Sequence, residues 1–425
     1  MGGKSGLLIV IACGLLLGAI ALNLNRFATQ SVGNMGMYSD LTTSHALAVS
    51  GANIALARFY QDTTWRGPIG QSLTGEPFWG SFTARAIDLD PDNLLLQSVS
   101  SYRATGGDML HDTVEVYFKR RSLNSFSLFA WMTDFDGNTN WVTGDTIWGR
   151  MHSNGAIHIN GKPVFMGKVT TAKGFDPKPG VGTNKAIFKN SYETGVAPID
   201  FPTDLSEIIT ASTTGGRRYS GDIWIALEPG TAANNDGWAV IRSSETGPVI
   251  DSVDLSASGF NGVILGDGRV NVEGTVDGVL SIASLTDVYI QNDVLYERDP
   301  RAGTSDDLLG IVADANVVIA NNSDNNKDCV VQGCIFARTG SFSAESHSTR
   351  GPSGILDVYG SIVQKTRGME ASYSGSSLKS GFYKRYVYDT RLEDASVRPP
   401  SYPGYYVKTF AIANWWENYR VSQLY

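Results

Sequence analysis

The chain is poor in cysteine, in charge and in recognisable catalytic motifs. Its 425 residues include three cysteines, too few for a disulfide framework. Cys13 lies in an apolar run, which leaves Cys329 and Cys334, in "CVVQGC", as the local pair. They are either a disulfide formed outside the cytoplasm or two small buried hydrophobes. Charged residues make up 18%, below the ~25% usual for soluble domains. The net charge is -8 with no basic cluster, which argues against nucleic acid as a partner. No Gly-x-Ser-x-Gly elbow, Cys/His constellation or phosphate loop occurs. Glycoside cleavage needs two carboxylates at a fixed separation, and no compact motif supplies them. Asp251, Asp254, Asp287 and Asp314 stand near turns, where short acidic side chains serve as local hydrogen-bond acceptors.

Charge is also absent locally. From Gly6 to Leu24 no residue is charged, and after Arg26 the next charge is Asp40. At ~1.5 Å per residue the first of these stretches spans about 28 Å, close to a ~30 Å hydrocarbon core. Lys4 before it and Arg26 after it give a slight preference for a cytoplasmic N-terminus. Cleavage at Ala19-Ile20-Ala21 would make the same segment a secretory signal. The helical pattern continues, however. In "SHALAVSGANIALARFY" (Ser44–Tyr60), Ala48, Ala52, Ala55 and Phe59 fall on one face. A single long helix, apolar and then amphipathic, is expected, with Gly33 and Gly36 as points that soften or interrupt it.

"GLLIVIACGLLL" followed by "ALAVSGANIALARFY" resembles the N-terminal segment of minor pilins of the pilus-assembly type. It is also similar to the tip subunit of type II secretion pseudopili. The resemblance covers roughly residues 1–120. Major pilins carry a Glu five residues into the mature chain; processing after Gly6 would put Ile11 there, and the first glutamate is Glu76. Tip-type subunits lack that Glu too, and Lys4 fits a prepilin leader. The resemblance implies a helix packed on a small antiparallel sheet. "GSFTARAIDL", "LLLQSVSSYRAT" and "DTVEVYFKRR" independently alternate as a three-stranded meander, with "DPDN" and "TGGD" as turns.

Glycine, at 47 residues, exceeds the ~7% average and recurs with Asn and Val after about Ser125. "NGVILGDGRVNVEGTV" precedes "DGVLSIASLTDVYIQNDV", with Val270-Asn271-Val272 and Val288-Tyr289-Ile290 eighteen apart and Gly262 and Gly278 sixteen apart. "GIVADANVVIANN", "CIFARTGSFSAES" and "ILDVYGSIVQK" continue the pattern. It suits a right-handed parallel β-helix, with a β-sandwich as the alternative. "GDTIWGRMHSNGAIHINGKPVFMGKVTTA" reads as the first coils, and Tyr296–Asp307 and Asn321–Asp328 as loops. The fold class is therefore mainly β, divided as 1–26 transmembrane anchor, 27–122 pilin-like helix and meander, 123–378 solenoid, and 379–425 C-terminal aromatic cap. The last segment, with "YD-x-R-L" and "PP-x-x-P", resembles the ending of uncharacterised pilin-like bacterial surface proteins. Tyr405, Phe410, Trp415 and Trp416 are expected to cover the last coil or to stack on sugars.

For a metal, "DFDGNTN" offers Asp134, Asp136, Asn138 and Asn140 as alternating oxygen ligands for calcium, without the later Glu of an EF-hand. His152 and His158 are too few for a metal site. "NNSDNNKD" reads as a solvated loop. Taken together, the sequence describes a non-enzymatic, single-pass protein of a bacterial inner membrane with a periplasmic or extracellular ectodomain. It is expected to act structurally or adhesively beside other pilin-like subunits at a filament or secretion pseudopilus. The alternative is a tethered lyase or hydrolase, or a carbohydrate-binding solenoid for surface polysaccharide.

Overall fold

The computed structural model describes residues 3–75, 78–90, 92–231, 237–374 and 377–417. The chain forms two compact units, Met1–Ser122 with Lys408–Tyr425, and Leu123–Val407.

The first unit begins with one uninterrupted helix, α1, Gly3–Gln61. Gly33 and Gly36 do not break it, since a helical glycine costs only ~1 kcal/mol and no proline intervenes. Ala48, Ala52, Ala55 and Phe59 are fully buried, as the spacing predicts, against Ala84, Ala86, Leu94, Leu96, Val114, Val116 and Phe118. The sheet beneath runs in the order Ile69–Gly75, Phe78–Asp88, Asn93–Arg103, Thr113–Ser125, Gly404–Glu417. The first four of these strands pair antiparallel. The small helix face lets the backbones approach closely: a Cβ on Gly51 would collide with Ser98 Oγ and the Phe82 ring. The last strand arrives from the far end of the sequence, so the second unit is inserted into the topology of this sheet. His45 ties the return, with Nδ1 2.6 Å from Asp112 Oδ2 and Nε2 3.1 Å from Glu417 Oε2.

The expected cap at 379–425 is therefore corrected. Ser377–Tyr388 is a rung of the second unit, and Trp415 packs on the core of the first. Tyr405 is buried among Phe126 and Phe129, with ring centroids at 5.0 and 5.7 Å, and Trp416 is exposed. The side chain of Phe410 lies outside the described residues. From sequence the aromatic run is expected to cover the open end of the solenoid, but a strand pairs with whichever sheet edge is open to it.

In the second unit most strands stack in parallel ladders, as coils do and an antiparallel sandwich does not; antiparallel pairs join Ile223–Glu228, Trp238–Arg242 and Val249–Asp254, and Ala371–Ser374 with Ser377–Tyr388. One ladder runs Arg217–Tyr219, Val263–Gly266, Val279–Ser284, Leu308–Ala313, Cys329–Ala337, Pro352–Thr366. The eighteen-residue repeat is in register, Val270 opposite Val288 and Val272 opposite Ile290. The sixteen-residue offset is not, because Val263 lies opposite Ser281. Inward Val, Ile and Leu fill the coil, while a second cluster buries the outer face of this ladder beneath Leu205, Ile208, Leu392 and Tyr402. Strands covered on both faces read as continuous apolar runs, as in "LLGIVA".

The order of the coils differs from the order of the chain. Trp131–Phe135 pairs in parallel with Pro352–Thr366 on one side and with Met151–Ser153 on the other, and the ladder continues through Val169–Thr171 to Tyr192–Thr194. The segment expected as the first coils thus continues the stack beyond the last ones. Residues 195–216, with the short helix Ser206–Thr213, lead from the end of this part to the rung Arg217–Tyr219.

Candidate functional site

The seam between residues 131–160 and 352–388 gathers polar and aromatic groups from opposite ends of the sequence. Gln364 lies opposite Thr133 and Thr366 opposite Phe135. That register sets Lys365 Nζ 2.7 Å from Asp134 Oδ2, and Arg367 Nη1 3.5 Å from Asp136 Oδ2. The second pair is fully enclosed, at 1% and 0% side-chain exposure. Asp136 also accepts from Thr133 Oγ1 and Trp141 Nε1, both at 3.2 Å. The Arg367 guanidinium lies 3.9 Å from the centroid of the Trp141 ring and donates to Thr139 O at 3.1 Å. Burial raises the Asp136 carboxyl above its usual range in spite of Arg367. For Asp134 burial acts in the same sense, but hydrogen bonds from Lys365 and Asn154 outweigh it and lower the carboxyl.

This arrangement corrects the calcium reading of Asp134, Asp136, Asn138 and Asn140. Asn138 and Asn140 are exposed while Asp136 is enclosed, so the four oxygens do not face one cradle, and two of them already meet cations. Among the described residues no group of three or more His, Cys, Asp and Glu side chains could hold a metal. His152 and His158 stand on successive strands, Met151–Ser153 and Ile157–Asn160, because the Ser153–Gly155 corner separates them. His152 is buried and bonded to Thr170 Oγ1 and Asn154 Oδ1, both at 2.8 Å; burial lowers its pKa. Asn154 in turn holds Ile199 by N–H and carbonyl, at 2.8 and 2.7 Å. His158 Nδ1 is 3.4 Å from Asp176 Oδ2.

Cys329 and Cys334 are free and buried, which removes the disulfide reading. Five residues apart on one strand, they are separated by ~16 Å at ~3.3 Å per residue, far beyond the ~7 Å that a disulfide spans. Burial pushes the Cys329 thiol up to about 12 and also raises that of Cys334, so both are inert hydrophobes. The turn aspartates each have partners. Asp251 accepts from Tyr219 at 2.7 Å, Asp254 from Ser256 Oγ at 2.7 Å, Asp287 from the Asn316 amide at 2.9 Å, and Asp314 from Arg338 at 2.6 Å.

Where Ser377–Tyr388 meets Thr146–Trp148 the seam opens into a cleft of about 460 Å³, lined by Val142, Thr143, Asp145, Asn160, Tyr373, Tyr383 and Lys384. The two tyrosine rings are half-exposed, with centroids 6.4 Å apart and planes at 61°. Lys384 Nζ lies 3.1 Å from Oε2 of the buried Glu370. Asp145 Oδ2 accepts from Val142 N at 2.9 Å, which shapes one wall. Tyr373 and Tyr383 flank a Ser/Gly-rich stretch of sequence, a visible signal for exposed aromatics. Their partners near Asp145 are more than two hundred residues earlier, and nothing local announces the pairing.

No protein-family model matches the chain, and no curated protein matches it. Among solved structures it is similar to the competence-associated pilin ComZ from Thermus thermophilus, at 12% identity and a TM-score of 0.36. That alignment covers 89% of this chain and 97% of that one.

Proposed function

We propose that the protein is a membrane-anchored, pilin-like surface subunit which carries its parallel β-solenoid as an adhesive or assembly module at a type IV-like filament or secretion pseudopilus. The observation that carries this reading is the two-part surface of α1. From Asp40 onward the helix is sunk against its sheet, whereas from Gly6 to Ser39 almost every residue is exposed. That exposed part contains one charge, Arg26. At ~1.5 Å per residue it extends about 51 Å, some 20 Å more than a ~30 Å hydrocarbon core takes up. The remainder, "FATQSVGNMGMYS", is too weakly polar for an isolated solvated helix and suits contact with other helices. Gly33 and Gly36 stand open there, and small residues let helix backbones approach. The sequence resemblance to minor pilins points the same way, and the placement is a bacterial inner membrane crossed once.

The role is non-catalytic, a reading supported by the structural engagement of Asp251, Asp254, Asp287 and Asp314. The test is photo-crosslinking in whole cells from a benzophenone residue at Met35, which is 73% exposed, with Ala52 as the buried control. Crosslinks from position 35 to the N-terminal helix of a pilin-like chain, identified by mass spectrometry, are expected. Adducts with lipid alone, or a chain recovered wholly in the soluble fraction, would contradict the proposal.

A further inference from the structure

The seam cleft has the composition of a small-ligand site: an aromatic wall with a few convergent polar groups. Its volume, about 460 Å³, falls within the ~300–1,000 Å³ typical of such sites. The geometry points to a saccharide site here, in which a neutral hexopyranose unit of a surface polysaccharide stacks on Tyr373 and Tyr383 and is fixed by Thr143, Asp145, Asn160 and Lys384. The inference does not depend on whether the chain enters a filament.

Three features select this ligand class. Tyrosine offers a rigid apolar face and a polar tip at low entropic cost. Two rings set 61° apart form an angled wall that matches the apolar C–H face of a pyranose, while flat aromatic ligands would meet one ring only. The rim supplies a hydroxyl, a carboxylate, an amide and an ammonium, which together both donate to and accept from the ring of hydroxyls around a sugar. Charge then separates neutral from acidic sugars. Lys384, the cation among the described residues that line the cleft, is matched by the buried Glu370 at 3.1 Å, and Asp145 adds a negative charge. Burial first, then the charges of Asp145 and Glu370, push the Tyr373 phenol up to about 12. It therefore remains a hydrogen-bond donor at physiological pH, in surroundings that disfavour a uronate.

The cleft is formed only where the two parts of the stack meet, since Tyr386 and Val387 lie opposite Ile147 and Trp148. A ligand there spans the junction and tightens it.

The test uses the full chain in a zwitterionic detergent without a sugar headgroup. Isothermal titration is run with maltotriose, cellotriose, mannotriose, β-1,4-galactotriose and trigalacturonate. At least one neutral trisaccharide should bind one to one, with an affinity indifferent to salt. Tyr373→Ala and Tyr383→Ala should each weaken it by about tenfold or more. Tyr373→Phe, which keeps the ring and the fold, should weaken it less. Trp238→Ala, at an exposed tryptophan outside the cleft, should leave it unchanged. The proposal is overturned if no neutral trisaccharide binds, if trigalacturonate binds best, or if the tyrosine-to-alanine variants retain wild-type affinity with unchanged circular dichroism. It is equally overturned if Trp238→Ala weakens binding as much as they do.

Discussion

Replacing Asp136 by Asn tests whether the seam is held by the enclosed pair Asp136–Arg367. The substitution keeps the shape of the side chain and removes its charge, which leaves the Arg367 guanidinium at 1% exposure without a counter-ion. Breaking one partner of a buried pair costs about 3–5 kcal/mol, whereas loss of an exposed pair costs ~0–1 kcal/mol. Stacking of Arg367 on Trp141 offsets a small part, ~0.5–2 kcal/mol. A net loss of about 2–4 kcal/mol is therefore expected. The double substitution Asp136→Leu with Arg367→Met should recover most of it, because enclosed ion pairs replaced by apolar groups of similar volume are often neutral or stabilising. Urea unfolding of the detergent-solubilised chain, followed by tryptophan emission, reads the seam directly, since Trp131 and Trp141 are buried beside Arg367. An unchanged urea midpoint for Asp136→Asn would refute the argument, as would a double variant less stable than either single one. A stabilisation of the wild type by calcium that disappears in Asp136→Asn would restore the cation-loop reading.

Leu16→Arg places a charge near the centre of the apolar span, at a cost of about 2.5–3.5 kcal/mol on insertion scales; carbonate extraction should show the variant leaving the membrane fraction. Gly51→Leu forces a side chain between α1 and its sheet, where even a Cβ meets Ser98 and Phe82. Overpacking of ~1–3 kcal/mol or more should lower protection of α1 amides from exchange, while strands of the second unit stay protected. His152 has a lowered pKa because it is buried, so its contribution is present above the unfolded value of ~6.5 and is lost as pH falls through the folded one. Proteolysis near Ile199 should therefore quicken on acidification from pH 7 towards 5. Absence of that acceleration would remove His152 and Asn154 as the fastening of this segment.

Local pattern was enough for the features in which one residue's neighbours are near it in sequence. The face Ala48, Ala52, Ala55, Phe59 was legible because helical geometry brings every third or fourth side chain to one side. The meander was legible because alternation exposes one sheet face and buries the other. The pairing of Val270 with Val288 followed from a repeat of one coil. The four-residue calcium pattern misled for the same reason: alternating oxygens in "DFDGNTN" describe side-chain types, while the charges that claim Asp134 and Asp136 come from Lys365 and Arg367 on another coil. The five-residue spacing of Cys329 and Cys334 left a disulfide and two buried hydrophobes both open to local pattern, and their place on one extended strand selects the second.

The sequence by itself thus determined the secondary structure, the uncharged length of α1 and the period of the coils, because these depend on steric preference and apolar spacing within a few turns of chain. The tertiary structure alone decided which coil lies beside which. Parallel rungs join through backbone hydrogen bonds that are nearly alike for every coil, so nothing in "WMTDF" names "SIVQKT" as its neighbour. The same holds for the strand Gly404–Glu417, which is expected from sequence as a cap but completes the first sheet. The Tyr373–Tyr383 cleft exists only because that long-range choice sets Asp145 and Asn160 beside residues at the other end of the chain.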